Sequence, residues 1–267
     1  MLTEQLFFYP DSCNYGGLPS VNKSECFENI YIELNSKERV HGWFVEPLQL
    51  IPKATIIHFH GNAANITNHW DQVSWIPAQG YNLFTFDYRG FGESTGKTTF
   101  RNIHEDCLKA IYYVREKLDK TGKLVLLGQS LGGAFCLSAT AEDKGKDIKG
   151  MILDSCFDSF RNIAIAKLSM SPNQILSLAI NFLVSDQYSP LESVKSLSEL
   201  KIPKLHIHSK SDQVIPFERG LNLFNCTSEP KRLLSLECNK HISTFIERSS
   251  KNMSEVFSFL DYCLKIE

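Results

Sequence analysis

The chain reads as an α/β fold with a mostly parallel central sheet and helices on both faces. An N-terminal antiparallel hairpin precedes the sheet, and a small helical cap interrupts it. Three observations carry this reading. Short apolar or β-branched runs at 54–60, 82–86, 124–127, 148–153, 204–208 and 232–236 alternate with segments of helical period. Strands that alternate with helices pair in parallel and are covered on both faces. Two alternating β-rich runs, 27–34 and 40–45, flank the turn Asn35-Ser36-Lys37 and form a hairpin. Between 154 and 204 the alternation stops, and only helical pieces are legible.

In chain order, residues 1–26 have no clear period and contain Pro10, Gly16, Gly17 and Pro19, so they are expected to form an irregular arm over the surface. Residues 48–53 are a Pro-bounded loop. The run 54–60 is a buried strand that leads into the loop Gly61-Asn62-Ala63-Ala64-Asn65. Residues 68–79 are expected to be one helix ending at Gly80, and 82–86 a strand that ends at Asp87 before the glycine-rich loop 88–96. Ile103, Cys107, Ala110, Ile111, Val114 and Leu118 place a helix over 99–118, which stops before Gly122. The strand at 148–153 ends at Asp154. After it, 160–170 and 175–184 read as the helices of a cap spanning about 157–198, an insertion at the end of a strand where an open α/β sheet binds its ligands. A strand at 204–208, a helix at 216–224, a strand at 232–236 and a closing helix at 249–264 complete a single domain over 1–267.

Composition narrows the function classes. The 267 residues carry a net charge of -2, with 43 % hydrophobic and 22 % charged residues. No Lys/Arg cluster stands out, which argues against nucleic acid. The eight cysteines (Cys13, Cys26, Cys107, Cys136, Cys156, Cys226, Cys238 and Cys263) show no C-x-x-C pair and no repeated spacing. The first ten residues lack a basic region, their apolar patch is too short for a signal peptide, and no run has the length of a membrane span. The expectation is a cytoplasmic protein with free thiols and no integral membrane segment.

The chemistry centres on Leu124-Val125-Leu126-Leu127-Gly128-Gln129-Ser130-Leu131-Gly132-Gly133, an apolar strand that runs into G-x-S-x-G and then into a good helix former. This is the strand–turn–helix context of a nucleophile elbow, in which the serine stands on a strained turn and the glycines omit side chains that would clash. A serine hydroxyl needs a base, and the base needs a carboxylate to hold its tautomer. Along the chain, nucleophile, acid and histidine follow in that order, each after a strand. Asp212 follows the strand 204–208, and His241 follows the strand 232–236 and is the only histidine after Asp212. Asp212 is the preferred acid because its loop is short and runs into a helix. Asp154, also at a strand end, is second, and Asp87 ends another strand. The oxyanion of a tetrahedral intermediate needs fixed N–H donors. Leu131 at the helix start supplies one. Asn62, beside Gly61, is expected to supply the other, with Ala63 as the neighbouring alternative.

Two H-x-H pairs, His58/His60 and His206/His208, put imidazoles on one side of a strand, but no third ligand has a matching spacing, so neither a metal nor another cofactor is expected. The second cap helix is apolar on two sides. Ile175, Leu178 and Phe182, on one of them, are candidate acyl-pocket residues; packing on the body or against a second subunit is the other use of such a face.

The stretches His58-Phe59-His60-Gly61-Asn62-Ala63-Ala64-Asn65-Ile66, Asp87-Tyr88-Arg89-Gly90-Phe91-Gly92-Glu93-Ser94, Gly128-Gln129-Ser130-Leu131-Gly132-Gly133 and Asp212-Gln213-Val214-Ile215-Pro216 resemble the Bem46-type α/β-hydrolases, over roughly residues 27–265. The resemblance implies a serine hydrolase with Ser130, Asp212 and His241 as triad and Asn62 with Leu131 as oxyanion donors. It departs at His206-Ile207-His208-Ser209, where relatives carry His-Gly, after His241, where the usual Asn or Gly neighbour is missing, and in the lack of an upstream membrane anchor. The expected activity is hydrolysis of carboxylic esters or thioesters, with a small-molecule or acyl substrate as partner. A non-catalytic ligand-binding protein of the same fold, or a peptidase, is the alternative.

Overall fold

The computed structural model describes residues 7–16, 25–47, 51–169, 184–237 and 240–265. The first half comprises β1 (Tyr9–Pro10), β2 (Glu25–Glu33), β3 (Arg39–Pro47), β4 (Thr55–Phe59), β5 (Ala63–Ala64), α1 (Ile66–Val73), α2 (Trp75–Ala78), β6 (Asn82–Phe86) and α3 (Phe100–Tyr113). β7 (Leu124–Gln129), α4 (Leu131–Asp143), β8 (Ile148–Asp154), α5 (Phe160–Ser169) and α6 (Pro190–Ser196) follow. β9 (Lys204–Ser209), α7 (Phe217–Cys226), β10 (Lys231–Leu236), α8 (Thr244–Glu247) and α9 (Ser250–Lys265) close the chain.

Eight strands form one sheet in the order β10-β9-β8-β7-β4-β6-β3-β2. The pairings from β10 to β6 are parallel; the hairpin β2–β3 and its join to β6 are antiparallel. The central strands β4, β6 and β7 are buried at every residue, as continuous apolar runs between two helical layers must be. Alternation sends Ile57, Phe59, Leu124 and Leu126 to one face, under α3 to α7, where they meet Phe135 and Phe160. Ile56, Val125 and Leu127 go to the other face, under α1, α2, α8 and α9, with Trp70, Phe245 and Phe259.

Three departures from the sequence expectation have physical causes. The helix expected over 68–79 is split into α1 and α2, because Pro77 has no N–H to return to the carbonyl of Val73. The last turn of the helix expected over 99–118 widens into a π turn, Val114–Leu118, closed by Asp119 N–H donating to Val114 O at 2.7 Å. The arm over 1–26 is irregular only in part. Tyr9 and Pro10 form a strand that pairs in parallel with Ala63 and Ala64, and Asn65 Nδ2 donates to the carbonyls of Asp11 (3.1 Å) and Cys13 (2.8 Å). Phe7 and Phe8 then anchor the arm edge-on against Phe100. Among its described residues the segment between β8 and β9 holds α5 and α6; α6 was not legible in the sequence, and the helix expected over 175–184 lies, but for its last residue, outside the described residues. The expected pocket residues Ile175, Leu178 and Phe182 lie outside the described residues.

Candidate active site

The elbow between β7 and α4 puts Ser130 at φ 52 and ψ -116, a backbone region that non-glycine residues rarely occupy. The strain is held by packing that only glycine permits. A Cβ on Gly132 would lie 2.1 Å from Phe59 O and 2.4 Å from His60 O, and one on Gly128 would lie 2.6 Å from Gly133 Cα. Ser130 N–H donates to Asp154 O at 2.8 Å, and Gly133 N–H donates to Ser130 O at 3.0 Å. Leu131 begins α4, so its N–H belongs to the first turn, where no carbonyl of the helix itself can accept it.

Ser130 and Leu131 line a cavity of about 370 Å³ together with Asn62, Ala63 and His241. The oxyanion-loop candidates therefore share one chamber with the elbow and the histidine. Asn62 is held from outside: its Oδ1 accepts the N–H of Tyr9 at 3.3 Å. Phe7 and Tyr9 of the N-terminal arm also line the cavity, as do Phe157 and Ile163 after β8 and Val214, Ile215 and Ile242 from the loops after β9 and β10. The described lining includes no Asp, Glu, Lys or Arg.

Asp212 meets His241: Nδ1 of the imidazole lies 2.7 Å from Asp212 Oδ2. The carboxylate can only accept, so Nδ1 carries a proton, and in the neutral imidazole Nε2 then holds the lone pair. The other oxygen, Oδ1, accepts the N–H groups of Val214 (2.8 Å) and Ile215 (2.9 Å), which pins the carboxylate in the turn before α7. Burial pushes the Asp212 carboxyl up. The hydrogen bond and charge of His241 and the two backbone donors outweigh it and hold the group below the usual carboxylate range.

The other aspartates at strand ends have different partners. Asp154 accepts from Gln129 Nε2 (3.0 Å), Ser155 Oγ (3.3 Å) and Thr244 Oγ1 (3.3 Å), and its burial pushes its pKa up. Asp87 accepts the first N–H of α1, from Ile66, at 2.9 Å and lies 3.3 Å from His60 Nε2. It serves the positive end of that helix.

The histidines of both pairs are buried in the core. His58 is bonded to Thr85 Oγ1 (2.9 Å) and Gln129 Oε1 (3.0 Å), and His60 Nδ1 to Gly61 O (2.7 Å). His208 Nε2 lies 3.0 Å from Ile215 O and 3.6 Å from Asp212 Oδ2, behind the acid. His206 is buried edge-on to Phe224, and burial presses its pKa to about 3. Among the described residues no group of three His, Cys, Asp or Glu side chains is placed to share an ion.

Sequence reasoning missed the walls that come from far away in the chain. Phe7 and Tyr9 carry no local signal, because a two-residue strand has no period. Gln129 occupies the variable position of G-x-S-x-G, yet it links His58, Asp154 and Gln72, the last through a 2.5 Å contact from its Nε2.

Residues 51–190 match the family model described as serine aminopeptidase, S33. The uncharacterized protein YfhR of Escherichia coli K12 is 38 % identical over 249 residues, covering 91 % of this chain and 81 % of that protein. Protein bem46 of Schizosaccharomyces pombe is 26 % identical over 250 residues, covering 90 % of this chain and 81 % of that one. Among solved structures, esterase Pf2001 of Pyrococcus furiosus superposes with a TM-score of 0.74 at 18 % identity, over 95 % of this chain and 96 % of the other. At that identity the likeness is one of fold.

Proposed function

Because the chain belongs to the α/β-hydrolase family described as serine aminopeptidase, S33, and there to its Bem46-type members, we propose that it is a serine hydrolase of carboxylic esters or thioesters. The observation that carries this reading is the 2.7 Å contact between His241 Nδ1 and Asp212, in a histidine that lines the same cavity as Ser130.

In this mechanism Ser130 Oγ adds to the carbonyl carbon while His241 Nε2 takes its proton, and Asp212 keeps the imidazole in the tautomer that can accept it. The negative oxygen of the tetrahedral intermediate is held by the N–H groups of Leu131 and Asn62, with Ala63 as the neighbouring alternative. The intermediate collapses as the bond to the alcohol or thiol breaks, and the imidazolium protonates the leaving group. Water, deprotonated by the same imidazole, then attacks the acyl-enzyme and releases the acid and free Ser130. The segment between β8 and β9 acts as a cap, and Phe157, Ile163 and Phe7 offer an apolar wall to the acyl chain. The chemistry needs no cofactor. A cytoplasmic setting is part of this reading, since the thiols of Cys13, Cys107, Cys136, Cys156, Cys226 and Cys263 are free; within the described residues no helix is long and apolar enough to cross a membrane.

The family description favours a peptidase as second reading. An aminopeptidase must recognise a free ammonium, and the described lining offers it no carboxylate. The test is a series of p-nitrophenyl esters and acyl thioesters from acetyl to dodecanoyl, run beside aminoacyl p-nitroanilides. Each methylene buried contributes about 0.8 kcal/mol, so kcat/KM should climb about fourfold per methylene until the cavity is full. Anilide cleavage at a kcat/KM equal to that of the best ester would replace the esterase reading with the peptidase one.

A further inference from the structure

Asp154 is a fully buried carboxylate beside the site that the proposed mechanism leaves unused. Its three described donors converge on it as they would on a carboxylate. Gln129 Nε2 reaches Oδ2 at 3.0 Å, while Ser155 Oγ and Thr244 Oγ1 both reach Oδ1 at 3.3 Å. Ser155 Oγ in turn accepts the N–H of Ile242 at 3.2 Å, which leaves its own proton for Asp154. The chain of contacts therefore runs from Ile242 through Ser155 to Asp154, and back through Thr244.

The two ends of that chain, Ile242 and Thr244, lie one and three positions after His241. Ile242 has φ 48, in the left-handed region that a β-branched residue avoids, so this turn is not one its own sequence favours. Something outside the turn must hold it. On its other side Asp154 grips the elbow: its side chain holds Gln129 and its carbonyl accepts Ser130 N–H. None of its described side-chain hydrogen bonds goes to the imidazole, so it does not act as the orienting acid.

We infer that Asp154 is a positioning residue for His241, fixing through Ser155 and Thr244 the turn that presents the imidazole and tying that turn through Gln129 to the strand under Ser130. The inference rests on the reading of Ser130 as nucleophile and His241 as base. It predicts that the bridging hydroxyls matter to the transition state more than to substrate binding, since a misplacement of about 1 Å at a catalytic group costs about 100-fold in rate.

The experiment uses the full chain and p-nitrophenyl butyrate. Thr244→Val and Ser155→Ala each remove one bridge, and Thr244→Ser keeps it. Thermal melts establish that each variant is folded, and Thr244→Val, being isosteric, guards against a Ser155→Ala protein that is not. Thr244→Val and Ser155→Ala should each lower kcat about tenfold with KM within about twofold of the parent, while Thr244→Ser keeps the parent kcat. A folded Thr244→Val protein with kcat within about twofold of the parent overturns the inference, as does equal impairment of Thr244→Val and Thr244→Ser, or a loss confined to KM. Ester hydrolysis that survives Ser130→Ala overturns the reading of the site itself, and the inference with it.

Discussion

Replacing Asp212 by Asn tests the orienting carboxylate with almost no change of volume. Oδ1 of Asp212 accepts two backbone donors, from Val214 and Ile215, at 2.8 and 2.9 Å. In Asp212→Asn the amide oxygen must keep that place, because an NH2 group there would face two N–H donors. The amide nitrogen is then forced to where Oδ2 stood, 2.7 Å from His241 Nδ1. Two donors cannot share that contact, so the imidazole moves its proton to Nε2 and loses the lone pair that should accept the Ser130 proton. Loss of the correct tautomer typically lowers kcat about 10⁴-fold, equivalent to about 5.4 kcal/mol at about 1.36 kcal/mol per decade. The assay is steady-state hydrolysis of a p-nitrophenyl ester by parent, Asp212→Asn and Asp154→Asn, with thermal melts on all three. Asp154→Asn should lose far less, on the order of 10- to 100-fold, because it loosens the turn without changing the tautomer. A folded Asp212→Asn protein within about tenfold of the parent, or a larger loss in Asp154→Asn, would refute the reasoning.

Stability should fall in mild acid. His69 and His206 are both pressed by burial from 6.5 to about 3. The unfolded chain therefore takes up protons below pH 6.5 that the folded chain refuses, and each histidine removes about 1.6 kcal/mol between pH 6.5 and pH 5. Urea melts at the two pH values should differ by at least about 3 kcal/mol, since buried His58 is also pressed down and acts in the same direction, and His206→Phe should shrink the difference by about 1.6 kcal/mol; a flat profile speaks against neutral buried imidazoles. Gly132→Ala places a Cβ 2.1 Å from Phe59 O, a backbone atom that cannot yield cheaply. It should cost about 1–3 kcal/mol or more in a thermal melt and lower kcat with it, and a parent-like melting temperature would mean that the elbow is less crowded than described. Ile163→Trp fills part of the cavity wall: kcat/KM for dodecanoyl esters should fall about 16-fold, the equivalent of two methylenes, with acetyl esters within about twofold, whereas equal effects on both would remove the acyl chain from that wall.

The elements legible in the sequence are those whose signal is local. A strand such as β7, buried at all its residues, must be written as a continuous apolar run, and an elbow must have small residues where Gly132 crowds the backbone at the end of β4, Gly128 that of α4, and Gly133 the side chain of Cys156. The order of Ser130, Asp212 and His241 was legible for the same reason, since each follows a strand that can be read. The partner of His241 was less legible. Asp154 and Asp212 both end or follow parallel strands, and only the turn that wraps Val214 and Ile215 N–H groups around one carboxylate separates them. The N-terminal arm was illegible because its pairing with Ala63 and Ala64 is a contact between distant residues and is two residues long. Ser155 and Thr244 were illegible because a bridging hydroxyl has no period and no motif.

The central claim is that Ser130 is the nucleophile. Its most direct measurement is peptide mapping of the intact protein after treatment with a fluorophosphonate probe, on the parent and on Ser130→Ala. The account predicts a single adduct on Ser130 in the parent, and neither adduct nor ester hydrolysis in a folded Ser130→Ala protein. An adduct on another residue, or ester hydrolysis that persists in Ser130→Ala, would contradict it.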